Sequence, residues 1–205
     1  MRRGDTLHFT DGAGNMYEGI ITEDDPHYMR VTVTGVTKDY GKRQYRLHIA
    51  ISPLKNDDRL EWFIEKAVEL GIDEITPLIC ARTEKKRIRK ERLDGLILSA
   101  MKQSVKAFLP VLNEPVQFTE FINKEHFGRR LIACCDTQLE RKAITFAVGP
   151  GKDVLILIGP EGDFTDDEVK LASDAGFLPV HMGSSRLRTE TAGVAACCAV
   201  YLANI

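Results

Sequence analysis

Hydrophobic and polar positions between Val154 and Ala196 follow a strand, loop, helix, strand, loop order that carries more information than any other stretch of the chain. Val154 to Ile158, VLILI, is a short apolar run that suits a strand buried on both faces of a parallel sheet. GPEG at Gly159 to Gly162 breaks the run. Thr165 then predicts a helix N-cap, with Glu168 three residues on completing a capping box and Phe164 set against Val169 as a hydrophobic staple. Gly176 ends that helix, Phe177 to Met182 returns as a strand, and Gly183 opens a second irregular loop. SRLRTET, Ser185 to Thr191, leads from it into a helix of small apolar residues.

Upstream, the pattern has two regimes. Leu7 to Phe9, Met16 to Ile21 and Tyr28 to Val36 are strand candidates joined by the turn sequences DGAGN and EDDPH, which predicts a small antiparallel unit. Three such strands make a marginal core by themselves. After a polar connector, Thr37 to Tyr45, the segment Arg46 to Leu54 reads as the first strand of a larger domain, dividing the chain into residues 1–42 and 43–205. Asn56 or Asp57 caps the next helix, whose stripe of Trp62, Phe63, Ala67, Val68 and Leu70 runs to Gly71. Ile75 to Cys80 follows as a strand, Leu93 to Ala107 as a helix and Leu131 to Cys135 as a strand. Strands alternating with helices predict a parallel α/β sheet.

Composition removes several classes without selecting one. With 205 residues, 43% hydrophobic and 28% charged, 16 Gly and 8 Pro, the chain reads as an ordinary globular protein. No run approaches the roughly 18 apolar residues needed to span a bilayer, and Met1 to Asp5 leads into no signal-type apolar region, so a cytoplasmic location is expected. Cys80, Cys134, Cys135, Cys197 and Cys198 form no CxxC, and the five histidines form no HxxxH or HExxH. Free thiols and no metal are expected. Neither GxGxxG nor GxxxxGK[ST] occurs, which sets aside dinucleotide-binding and P-loop mechanics. Taken alone, GPEG would be no more than a tight strand-to-helix turn.

The formal charge of −2 does not announce a nucleic-acid partner, but the run Ala81 to Arg92 is locally basic. It holds Arg82, Lys85, Lys86, Arg87, Arg89, Lys90 and Arg92 against Glu84 and Glu91. Such a run is often a solvated helix face; clustered Lys and Arg also suit phosphates, whose counterions they release. Lys102, Gln103 and Lys106 extend the candidate RNA-binding set.

GPEGDF followed after about two dozen residues by LRTETA resembles the C-terminal signature of the RsmE-type ribosomal RNA methyltransferases, in the SPOUT class of S-adenosylmethionine enzymes. DRLEWFIEKAVELGIDEITPL, Asp58 to Leu78, and SAMKQS, Ser99 to Ser104, extend the resemblance over most of the chain. It implies an α/β fold whose parallel sheet ends in a deep trefoil knot near residues 155–205, preceded by a small PUA-like β-barrel that lacks its opening segment. It implies S-adenosylmethionine held by Leu157, Ile158, Gly159, Pro160, Glu161, Gly162, Met182, Gly183, Leu187, Arg188, Thr189 and Thr191, with Leu157, Met182 and Leu187 flanking the adenine. The implied acceptor is N3 of a uridine in 16S ribosomal RNA, on the assembled small subunit. Arg188 is then the substrate-facing group that stabilises the uracil anion, and Glu190 accepts the proton or bonds the cofactor. The charge-poor final helix would contribute to a homodimer interface. Two further readings stand beside this one: a catalytically silent knotted RNA-binding or assembly module, and a SPOUT enzyme acting on transfer RNA. Asp163 departs from the glycine more common in the family, which matters only where the backbone needs positive φ.

Overall fold

The computed structural model describes residues 1–135 and 140–205, which divide into two compact units. Met1–Arg43 and Met101–Leu109 form the first, and Gln44–Ala100 with Pro110–Ile205 the second.

In the first unit, β1 (Thr6–Thr10), β2 (Met16–Asp24) and β3 (Met29–Thr37) make an antiparallel sheet in that order. The DGAGN turn is organised by Asp11, whose carboxylate accepts bonds from the Ala13 and Asn15 amides, the Asn15 side chain and the Tyr17 hydroxyl. These donors, Asn15 foremost, hold its carboxyl down at about 2. The turn also meets the segment after Gln103: the Gly14 N–H donates to the Ala107 carbonyl at 2.9 Å, and the Leu109 N–H to the Gly12 carbonyl at 2.9 Å. This shortens the helix expected over Leu93 to Ala107 at its C-terminal end. α2 (Lys90–Gln103) stops earlier, Val105 takes φ 53°, and the backbone beyond it bonds to the turn instead of continuing the helix.

The second unit is built on β4 (Leu47–Ile51), α1 (Asp57–Leu70), β5 (Glu74–Ile79), the body of α2, β6 (Val111–Leu112), β7 (Val116–Gln117), α3 (Phe118–Ile122) and β8 (Arg129–Ala133). It continues through β9 (Lys142–Ala143), α4 (Ile144–Ala147), β10 (Val154–Ile158), α5 (Asp166–Asp174), β11 (Leu178–His181) and α6 (Thr189–Leu202). Every strand pairing in it is parallel, in the order β6-β5-β4-β10-β8-β11-β9 with β7 beside β5. All five residues of β10 are buried because it lies between β4 and β8 at the centre.

Side chains alternate across that strand. Leu155 and Leu157 join Ala50, Leu78, Ile132, Phe164, Val169 and Phe177 in one core, covered by α3 and α5. α1 and α6 pack together, with α6 against β4 and β10. Gly193 lets α6 lie so close that an added Cβ would strike the Phe63 ring and Ile51. Asn56 caps α1 through a 2.8 Å bond from the Asp58 N–H, and Gly71 ends it at φ 89°.

At the amino ends of β4, β5 and β10 lies a cavity of about 450 Å³ that includes His48, Glu74, Thr76 and Asn113 in its wall. His48 Nε2 is 2.7 Å from the Thr76 hydroxyl, and Asn113 Nδ2 donates to both Thr76 and Glu74. Burial pushes the imidazole down to about 4, against the upward pull of Glu74. Its ordinary value is 6.5, so the unfolded chain takes up a proton first as the medium acidifies. Stability from the neutral ring is therefore complete above about 6.5 and lost as the pH falls toward 4. Urea denaturation should show a lower midpoint at pH 5 than at pH 7, and His48→Gln should shrink that difference; an unchanged difference would remove His48 as its source.

Candidate functional site

The carboxyl ends of parallel strands are where loops converge in α/β sheets. Here the ends of β8 and β10 and the start of α6 enclose a cavity of about 490 Å³. Ile158, Gly159, Pro160 and Glu161 line it from the first loop; Arg186, Leu187, Arg188 and Thr189 line it from the second. Ala133 and Cys135 come from the end of β8, Arg59 from α1 and Ala192 from α6, with Asp163 completing the wall.

The first loop is held from several sides. Its start is pinned by the Ser52 N–H donating to the Ile158 carbonyl at 3.0 Å and the buried Thr189 hydroxyl donating to the Gly159 carbonyl at 3.0 Å. At Gly159 the chain turns so closely over Phe164 that an added Cβ would sit 3.1 Å from its ring. The Asp163 N–H then closes a turn on the Pro160 carbonyl at 2.9 Å.

Asp163 takes φ 63°, the left-handed conformation that ordinarily favours glycine and that aspartate tolerates better than most residues. Its carboxylate offsets that cost with two bonds, accepting from the Cys135 N–H and the Phe164 N–H, each at 2.8 Å. It thereby ties the end of β8 to the loop after β10. Cys135 lines the cavity, but burial, and after it Asp163, pushes its thiol up, so the thiolate needed for nucleophilic chemistry is disfavoured.

The predicted capping box is present. Thr165 Oγ1 accepts from the Glu168 N–H at 3.2 Å, and Glu168 Oε2 accepts from the Thr165 N–H at 2.9 Å. The second carboxylate oxygen reaches the loop after β5, accepting from the Ala81 N–H at 2.7 Å.

Several residues assigned to the cofactor from the sequence lie outside the wall of the cavity. Leu157 is fully buried on the α5 side of β10, because alternation turns it away while Ile158 lines the site. Gly162 faces Arg82, whose Cδ would be 3.2 Å from an added Cβ. Met182 and Gly183 are not in the lining of the cavity; Gly183 has φ 111°, a conformation that favours glycine, and open space at its Cβ position. Thr189, Glu190 and Thr191 form the first turn of α6 instead of extending the loop. Thr191 is exposed, while Glu190 is buried toward α1, its Oε1 3.8 Å from Arg59 Nε and its Oε2 without a hydrogen-bond partner among the described residues. Arg188 occupies the N-cap position with its side chain exposed.

Arg59 escaped the sequence reading as a site residue. It sits in the first turn of α1, donates to Glu161 at 3.0 Å and approaches Glu190, so one guanidinium meets an acid of the first loop and one at the start of α6. Its spacing within DRLEW identifies a helix and carries no sign of that reach. Ala133, Cys135 and Arg186 were missed for a related reason: that β8 neighbours β10 is a long-range pairing.

The basic run is irregular up to Arg89 and becomes helical only at Lys90, so it is not one continuous helix face. Lys85 and Arg89 both pair with Asp57, Lys90 with Asp94 and Arg92 with Glu61. Lys85 leads the causes that hold the Asp57 carboxyl below its ordinary value. Arg82 donates to the Gly162 carbonyl at 2.6 Å and the Phe164 carbonyl at 3.3 Å. Lys86 and Arg87 are exposed. Lys102 and Gln103 end α2 within the first unit, and Lys106 follows them there.

Residues 41–201 match the family model described as RNA methyltransferase domain. The chain is 30% identical over 168 residues to the ribosomal RNA small subunit methyltransferase E of Rickettsia conorii, covering 80% of this chain and 67% of that protein. It spans 64% of the corresponding Synechocystis protein, at 26% identity over 94% of this chain. Among solved structures, a "probable rRNA-methyltransferase" from Porphyromonas gingivalis superposes with TM-score 0.93 at 41% identity, covering 100% of this chain and 87% of that one. The ribosomal RNA small subunit methyltransferase E of Neisseria gonorrhoeae, solved bound to S-adenosyl methionine, superposes with TM-score 0.85 at 25% identity, covering 100% and 85%.

The left-handed Asp163 yields a graded expectation. Asp163→Gly removes two bonds but accepts the backbone angle, whereas Asp163→Ala removes the bonds and keeps the strain. The alanine variant should be less stable than the glycine variant by about 1–2 kcal/mol in urea denaturation. Equal midpoints would show that the loop does not hold this angle in solution.

Proposed function

This chain belongs to the ribosomal RNA small subunit methyltransferase E family, and we propose that it transfers a methyl group from S-adenosylmethionine to N3 of a uridine in 16S ribosomal RNA. One observation carries the proposal: the GPEGD loop and the RLRT segment, far apart in sequence, wall a single cavity at the carboxyl ends of β8 and β10. The residues present fit such a cofactor: backbone of Gly159 and Glu161 and of Leu187 to Thr189 lines the space for an adenine edge, and Glu161, paired with Arg59, puts a carboxylate on the wall. Bound there, the cofactor supplies a methyl group already activated on a sulfonium.

The chain's own task is then to orient an acceptor nitrogen and steady the charge that develops when its proton leaves. Arg188, exposed and lining the cavity, is the donor this reading assigns to that charge. Glu190, buried and facing Arg59, is better placed to hold that arginine against the two loops than to take a proton in the cavity. Lys86 and Arg87, which form no ion pair among the described residues, supply phosphate contacts directly, and Lys85, Arg89 and Lys90 do so by exchanging a carboxylate for a phosphate. The reading extends to a trefoil knot within residues 155–205, a PUA-like module in residues 1–42, action in the cytoplasm on the small ribosomal subunit, and a homodimer joined through α6.

Nucleoside mass spectrometry of 16S RNA from a strain lacking this protein should show loss of an N3-methylated uridine, restored by the wild-type gene; an intact modification would refute the assigned product. Arg188→Ala should lower single-turnover methyl transfer at saturating RNA on the order of 10²-fold while leaving RNA affinity nearly unchanged. Transfer at the wild-type rate would remove Arg188 from the reaction. For assembly, the protein should sediment at the mass of a dimer and Ala195→Glu, on α6, should shift it toward monomer. A wild-type monomer at tens of micromolar would exclude the dimer.

A further inference from the structure

The loop that walls the cavity is gripped from outside by the basic segment. Ala81 donates its N–H to the buried Glu168, and Arg82 spans two carbonyls of the loop, those of Gly162 and Phe164. Thr83 anchors the same stretch, its N–H donating to the Cys80 carbonyl at 3.1 Å and its hydroxyl lying 2.7 Å from the buried Ser52 hydroxyl. Arg82 is not in the cavity wall, and its stem lies against Gly162, where any larger side chain would crowd it. Three to five residues on, Lys85, Lys86 and Arg87 turn to Asp57 or to solvent. The same short, irregular stretch thus holds the loop at one end and presents cations at the other.

We infer that Arg82 is a positioning residue that braces the cofactor loop through the Gly162 and Phe164 carbonyls and couples it to phosphate binding on the basic segment. The inference rests on reading the cavity as the cofactor site. Phosphates bound at Lys86 and Arg87 restrain the segment, which lowers the entropy still to be lost when Arg82 holds the loop; by linkage, a filled cavity raises RNA affinity by the same factor. Arg82 itself contributes through the loop rather than as a phosphate contact.

Calorimetry with S-adenosylhomocysteine, with and without a saturating 16S RNA fragment, tests this. Wild type should bind the ligand about fivefold tighter with RNA present, a coupling typical of linked sites. Arg82→Ala should weaken binding about tenfold without RNA, the scale of a charge-assisted hydrogen bond, and abolish the RNA effect. Arg82→Lys, which retains the charge and reaches one carbonyl, should recover part of both and guards against a folding defect in the alanine variant. The double variant Lys86→Ala, Arg87→Ala should bind S-adenosylhomocysteine as wild type does without RNA, yet lose RNA affinity. Wild-type ligand affinity in Arg82→Ala, with weakened RNA binding, would make Arg82 an ordinary phosphate contact and overturn the inference. If wild type itself fails to bind the ligand, the reading of the cavity falls, and this inference with it.

Discussion

The buried carboxylate of Glu168 is the interaction on which the site's architecture rests. It accepts bonds from the Thr165 N–H and hydroxyl on one oxygen and from the Ala81 N–H on the other, so it closes the start of α5 and fastens the loop after β5 to it. Without it the half-buried Thr165 N–H would lose its acceptor and the exposed Ala81 stretch its tie to α5. A surface capping box is worth about 1 kcal/mol. One that also joins two loops decides where the backbone of Gly159 to Phe164 can run.

That backbone leaves a fully buried central strand, so its polar groups at the buried Gly159, Pro160 and Phe164 need a protein partner or the cavity, while Glu161 and Gly162 are exposed to solvent. The partners come from loops far away in sequence: Ser52, Thr189, Arg82 and, through Asp163, Cys135. Asp163 accepts a left-handed backbone in exchange for joining β8 to β10. Arg59 performs the corresponding task with charge, reaching Glu161 in the first loop and Glu190 in α6.

Local signals in the sequence were sufficient for the elements that surround the site. VLILI, the Thr165 to Glu168 capping box, the Asn56 or Asp57 cap and the stop at Gly71 each depend on neighbours a few residues away, and each forms. Long-range pairing was illegible. Nothing in the periodicity places β10 between β4 and β8, so Ala133, Cys135 and Arg59 could not be assigned to the cavity. The end of α2 was misjudged because SAMKQSVKAF keeps a helix-compatible pattern past Gln103, while the backbone there bonds to the Gly12 and Gly14 turn. The motif, which names the strand end, assigns both Leu157 and Ile158 to the cofactor; the pleat then puts Ile158 in the cavity wall and buries Leu157 on the other face.

Counting cations in the basic run overstates how an RNA is held. Lys85, Arg89, Lys90 and Arg92 already face carboxylates, and Arg82 is spent on two carbonyls. A phosphate that takes Lys85 or Arg89 releases a counterion from the RNA but uncovers Asp57, which then gathers a counterion of its own, so the net release and the gain in affinity are both smaller than for a free cation. Lys86 and Arg87 avoid that exchange. On the proposed reading the anchored acids would act as a selector: Lys86 and Arg87 would hold a few phosphates, with the paired cations joining only where the RNA's shape brings further phosphates against them.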